Sequence, residues 1–186
     1  MKKSSLILLL FFFLGSCKEI SFREPQPRGR RALKSVPQKL WGKYLTFQEN
    51  GEISQDTIVI TQSGYRFGYF DPRASSGLKE GYDVGVLSDS LVLKSYKHYY
   101  FLSFYENPEW LLRVIRQEKN GDLVYMAMEQ EDVDFKDYAR KLSAEITIDS
   151  IKLENETLYQ IDPSPPKLIE LIDKGLFSRT NLKKVR

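Results

Sequence analysis

The chain has one cysteine and one histidine in 186 residues. Cys17 has no second cysteine to pair with, so the sequence holds no disulfide, no Cys-based metal site and no thiolate nucleophile after residue 17. A lone histidine, His98, excludes a multi-histidine metal site, and a Ser-His-Asp arrangement would have to use it. Read as part of a strand over 96–105, it shares a face with Tyr96, Tyr100, Leu102 and Phe104, where a hydrogen-bonded strand histidine is the simpler role. There is no phosphate-cradling loop, since Gly64-Tyr65-Arg66-Phe67-Gly68 lacks both the spacing and the lysine. Nor is there an apolar run of the roughly 17 to 25 residues that a membrane-crossing helix needs. The expectation is a noncatalytic protein with no catalytic residues, no metal and no cofactor.

What the N-terminus does contain is ordered by type. Lys2 and Lys3 precede an uncharged apolar run from Leu6 to Leu14, followed by Gly15-Ser16-Cys17. A charged region, an apolar region and small residues before a cleavage point make an export signal over residues 1–16. Leu14-Gly15-Ser16-Cys17 resembles the lipobox of bacterial type II signal peptides. That resemblance implies cleavage between Ser16 and Cys17 and lipidation of Cys17 with two or three acyl chains, palmitate among them. Each buried methylene is worth about 0.8 kcal/mol, so such an anchor is effectively permanent. The other reading is an ordinary secretory signal with an incidental cysteine.

Charge is segregated along the chain. Removing residues 1–16 takes away Lys2 and Lys3 and no acid, so 28 bases fall to 26 against 25 acids. The apparent basicity therefore says little about nucleic acid, and no nucleic-acid partner is expected. Eight bases (Lys18, Arg23, Arg28, Arg30, Arg31, Lys34, Lys39, Lys43) face Glu19 and Glu24 between residues 18 and 43. With Pro25, Pro27, Pro37 and Gly29 and little periodicity, residues 17–37 read as a lipidated cysteine plus a flexible basic tether, and 38–186 as a single β-rich domain. Arg28-Gly29-Arg30-Arg31 either touches anionic head groups or is a solvated linker.

Beyond the tether, short strands alternate with turn signals, which predicts an antiparallel meander forming a curved sheet or small barrel. Trp41–Glu49 runs into Asn50-Gly51, a two-residue hairpin signal. Strands follow at Thr57–Thr61, Tyr65–Phe70, Tyr82–Leu87, Leu91–Lys94, Tyr96–Tyr105, Trp110–Gln117, Leu123–Gln130, Glu145–Leu153 and Thr157–Ile161, with a loop over Asp71–Gly81. Two short helices interrupt them. Asp134 can cap one whose Phe135, Tyr138, Ala139 and Leu142 share a face. The other, near the C-terminus, has Ser164 as cap, Pro165 and Pro166 in its first turn, a Leu168, Leu171 and Ile172 stripe, and Gly175 at its end.

Asp56-Thr57-Ile58, Asp89-Ser90-Leu91 and Asp149-Ser150-Ile151 repeat one triplet. Asp and a hydroxyl satisfy backbone groups at a turn before a strand, which explains the triplet structurally. It also resembles the O-glycosylation acceptor of Bacteroidota envelope proteins, which implies Thr57, Ser90 and Ser150 as candidate acceptors. Cys17-Lys18-Glu19 looks like a shortened form of the acidic export signals of that phylum, with Ile20 where a second acid usually stands. The whole chain, with Leu40-Trp41-Gly42-Lys43-Tyr44 opening the domain, looks like a small Bacteroidota-type envelope lipoprotein. The resemblance implies a location in the bacterial cell envelope at the outer membrane, on either its periplasmic face or the cell surface.

Glu129, Glu131, Asp132, Asp134 and Asp137 gather where a hard cation could bind, but their spacing matches no EF-hand loop and a solvated acidic turn suffices. Aromatic residues are the surplus. Strands and packed cores use them heavily. If a small barrel leaves a cavity, Tyr65, Phe67, Tyr69, Tyr96 and Tyr100 are the candidate ligand-facing side chains. Trp41-Gly42-Lys43-Tyr44 is faintly similar to the Gly-x-Trp opening of lipocalin-like barrels, with the order of Trp and Gly reversed. Three readings stand: a noncatalytic binding or protein-interaction domain, a lipocalin-like carrier of a small apolar ligand, and a carboxylate-based hydrolase.

Overall fold

The computed structural model describes residues 18–47, 53–69, 83–130, 132–152 and 157–185. The signal segment, Cys17, the Asn50-Gly51 turn, the Asp71–Gly81 loop and Glu131 lie outside them.

The architecture is mainly β, a mostly antiparallel curved sheet with two helices, and the sheet does not close into a barrel. The strands are β1 (Lys18–Phe22), β2 (Gly42–Phe47), β3 (Ile53–Ile60), β4 (Gly64–Tyr69), β5 (Asp83–Val86), β6 (Leu91–Tyr96), β7 (Tyr99–Glu106), β8 (Glu109–Gln117), β9 (Leu123–Ala127), β10 (Glu129–Gln130), β11 (Asp149–Lys152), β12 (Thr157–Ile161) and β13 (Ser178–Lys184). The helices are α1 (Asp132–Ser143) and α2 (Pro165–Asp173). The main path runs β11-β12-β1-β8-β9-β13-β2-β3-β4-β5, with β6 and β7 extending from β8 and β10 pairing with β1.

The first correction falls at the start of the chain. Residues 18–37 are not a free tether: β1 is an interior strand, parallel to β12 and antiparallel to β8 and β10. Ile20 and Phe22 are fully buried, a gain of about 1.5–3 kcal/mol each. The proline-rich residues after β1 are held as well. Lys94 is itself buried, and its ammonium donates to the carbonyls of Pro25 (2.6 Å) and Pro27 (3.2 Å). Arg28 pairs with Asp162 at 2.7 Å, and the Arg30 guanidinium lies 4.4 Å from the centre of the Tyr96 ring. Composition suggested disorder, but two apolar residues and a set of long-range polar contacts outweigh it.

The sheet has two faces and a core on each. On one face, Ile20, Phe22, Tyr99, Phe101, Leu112, Val114, Val124 and Met126 pack against Phe135, Tyr138 and Leu142 of α1 and Leu168, Leu171 and Ile172 of α2. The first helix keeps its apolar stripe but begins at Asp132, so Asp134 lies inside its first turn and does not cap it; α2 follows its sequence signals. Ser164 caps α2, its hydroxyl oxygen accepting from the Lys167 amide, and Gly175 follows the helix with φ 73°.

On the other face, Leu93 of β6 and Ile60 of β3 belong to one cluster with Tyr44, Leu123 and Leu182. Six strand spacings separate β6 from β3 along the sheet, roughly 29 Å if it were flat. The sheet must therefore curl around this cluster. The chain before β2 fills the curl: the Leu33 amide donates to Leu93 on β6 (2.7 Å) and the Val36 amide to Gln62 in the β3–β4 turn (2.9 Å). Val36 and Leu40 enter the core beside Trp41. The segment read as tether thus bridges the gap that the sheet leaves open.

Candidate functional site

One cluster of charge lies on the curled face. Strand alternation puts Arg113 on the same side of β8 as Ile115, which belongs to the curled core. Its guanidinium grips Glu19 with both arms, Nη2 reaching Oε2 at 3.1 Å. Nη2 also lies 3.6 Å from a Glu129 oxygen, and Nη1 donates to the Leu112 carbonyl at 3.2 Å. The Phe104 ring centre is 4.9 Å from the guanidinium carbon, so the cation rests on an aromatic face.

The electrostatics follow from burial and pairing. Burial alone would lower the Arg113 pKa, but the hydrogen bond to Glu19 and the charges of Tyr125, Glu19 and Glu129 reverse that and raise it, so Arg113 stays a cation. Burial pushes the Glu19 carboxyl up, against the pull of Arg113. Burial also lifts the Tyr125 hydroxyl to about 12. Tyr65 is raised by burial and by Asp83, with Arg113 acting the other way. The cluster is therefore a cation between two carboxylates, ringed by neutral phenols. It binds charge internally and offers no free acid and base pair.

The five candidate ligand-facing aromatics do not converge. Tyr65 and Tyr100 both pack on the curled core, and Phe67, on the same side of β4 as Tyr65, is 38 % exposed. Tyr69 ends β4, with its side chain outside the described residues. Tyr96 is a correction, because it packs on the helix-covered face with Tyr99. Residues 96–105 are not one strand: Lys97 and His98 form a hairpin turn, Lys97 at φ 54°, and Tyr96 pairs with Tyr99. The turn resets the alternation, so Tyr96 and Tyr100 fall on opposite faces. His98 is exposed in that turn, its ring centre 4.2 Å from that of Tyr99 and tilted against it.

No protein-family model, curated protein or solved structure matches the chain.

The glycosylation triplets divide by exposure. Ser90 and Ser150 are exposed, Ser90 in the β5–β6 turn where the Ser88 hydroxyl accepts from the Ser90 and Leu91 amides. Thr57 is fully buried within β3, between Leu45 and Gly68 on the neighbouring strands, and has no room for a sugar. That corrects Thr57 as an acceptor. Among the described residues, no three His, Cys, Asp or Glu side chains gather to hold a metal ion. Two surface clefts, of about 360 and 350 Å³, lie between α1 and residues 175–178 and beside the β8–β9 turn. Neither is lined by a residue of the Arg113 cluster or by a candidate aromatic.

The Arg113 cluster was not anticipated from sequence, although a signal exists. In Trp110-Leu111-Leu112-Arg113-Val114-Ile115 a single charge interrupts an apolar strand, and a buried charge needs a partner. Its partner lay 94 residues away in a segment read as disordered.

Proposed function

We propose that this chain is a bacterial envelope lipoprotein, anchored through lipidated Cys17 at the outer membrane, whose domain acts noncatalytically by contact with another envelope component. The observation that carries the reading is positional: Leu14-Gly15-Ser16-Cys17 follows the apolar signal and stands immediately before the first strand of a folded sheet. Processing at Cys17 removes the signal without cutting into the domain.

The binding role is supported by how the polar groups are used. Arg113 is paired with Glu19 and lies beside Glu129, and His98 lies exposed on a hairpin turn. Around the β7–β8 turn, Tyr105 is 44 % exposed and its ring packs tilted against Trp110, centre to centre 5.3 Å, a side-chain pair suited to a protein contact. A carrier of a small apolar ligand is the second reading. Tyr65, Tyr100 and Tyr125 on the curled face favour it, whereas Val36, Leu40 and Trp41 already occupy much of that interior.

The test is Cys17→Ser followed by cell fractionation. The wild type is expected in the membrane pellet with a processed mass, and the variant in soluble fractions or as the unprocessed precursor. A variant that stays in the pellet at wild-type mass overturns the anchor.

A further inference from the structure

We propose that the domain has no leash: the lipid-bearing residue joins directly onto the interior strand β1, so the end of the sheet where β1 starts at Lys18 is held against phospholipid head groups. The inference rests on lipidation of Cys17 and adds to it a fixed attachment geometry.

Consecutive Cα atoms are about 3.8 Å apart, which puts Cys17 that close to Lys18. Lys18 is already in register with Gln130, and Glu19 with Glu129. The Ile20 amide donates to the Met128 carbonyl at 2.9 Å. Peeling β1 away to create slack would expose Ile20 and Phe22 and leave Arg113 buried without its main counter-ion. A free chain of the same residues could span tens of ångströms, at up to about 3.5 Å per residue. Here one peptide unit separates anchor and fold.

The basic residues do not supply a leash either. Arg23 reaches Asp149 at 2.5 Å, Arg28 reaches Asp162, and Arg30 lies over Tyr96, all of them past the end of β1 that is remote from the anchor. The start of β1 is instead paired with β10, Lys18 in register with Gln130 and Glu19 with Glu129. A bilayer is the occupant of this surface because the acyl chains leave the protein there.

Native proteolysis of the mature lipoprotein in vesicles of phosphatidylethanolamine and phosphatidylglycerol tests the proposal. Residues 18–39 contain seven Lys and Arg residues, so trypsin would cut a free tether readily and release the domain. The control carries a ten-residue Gly-Ser-Arg insert between Cys17 and Lys18. The wild-type domain is expected to stay with sedimented vesicles while the control is released, with rates differing at least about tenfold, as strand protection implies. A nick in the exposed Arg28–Arg31 loop does not release the domain, because β1 remains in the sheet. Release of the wild type at the control's rate, with a new N-terminus between residues 19 and 35, overturns the leashless attachment while leaving the anchor standing. Wild-type protein that never sediments with vesicles before trypsin is added overturns both.

Discussion

Arg113 holds Glu19 with both arms of its guanidinium and so ties β8 to the strand that begins one residue after Cys17. Both side chains are mostly buried, at 16 % and 15 % exposure. The pair therefore couples the N-terminal strand to the middle of the sheet.

Breaking that pair from one side leaves an uncompensated charge. Arg113→Ala and Glu19→Ala are each expected to lower unfolding stability by about 3 kcal/mol. In urea denaturation the double variant should lose clearly less than the sum of the two. Additive losses would show that the residues do not act as a pair.

Residues 18–36 are part of the fold. A chain beginning at Lys18 is expected to unfold cooperatively, whereas one beginning at Pro37 loses β1 and the Leu33 and Val36 contacts and should show no cooperative transition. Circular dichroism during thermal unfolding decides this. Equal transitions for both chains would restore the tether.

Lys94 clasps the proline-rich segment through two backbone carbonyls. Burial lowers its pKa, partly offset by Glu24, but the ammonium is the form that donates most strongly to carbonyls. Lys94→Ala is expected to cost about 2 kcal/mol and to make the Arg28–Arg31 loop more sensitive to trypsin. Unchanged stability and proteolysis would remove the clasp from the account.

Glu145 bridges Lys174 at 2.5 Å and Lys167 at 3.2 Å, linking the end of α1 to α2. Hydrogen bonds from Lys174 and Lys167 hold its carboxyl below the ordinary value of 4.5. A depressed folded-state pKa contributes stability above 4.5 that is lost as pH falls through the lowered value. Glu145→Gln should therefore melt below the wild type at about pH 6, and the gap should close in acid. A gap that widens in acid has the wrong sign for this ion pair.

Much of the fold is legible in the sequence because its signals are local. The Ser164, Pro165 and Gly175 punctuation of α2, the Phe135, Tyr138 and Leu142 stripe of α1, and the Trp110–Gln130 hairpin all resolve within about twenty residues. Two interior strands are not legible in this way. In β13, Leu182 is the one fully apolar side chain among Ser, Arg, Thr, Asn and Lys, yet the strand sits between β9 and β2. In β1, Ile20 and Phe22 alternate correctly, but charges flank them and prolines follow. Both strands are specified by partners far away in sequence, which a local pattern does not carry. The Glu19–Arg113 cluster is hidden for the same reason, and the face of Tyr96 is not legible because the Lys97-His98 turn has none of the usual turn residues.

If Cys17 is the mature, lipid-bearing N-terminus of the folded domain, mass spectrometry of the N-terminal peptide from the membrane-extracted protein will show it. The expected peptide begins at Cys17 and is heavier by a diacylglyceryl group, with or without a further acyl chain. An unmodified Cys17, or a peptide that begins at Met1 or beyond Lys18, would contradict it.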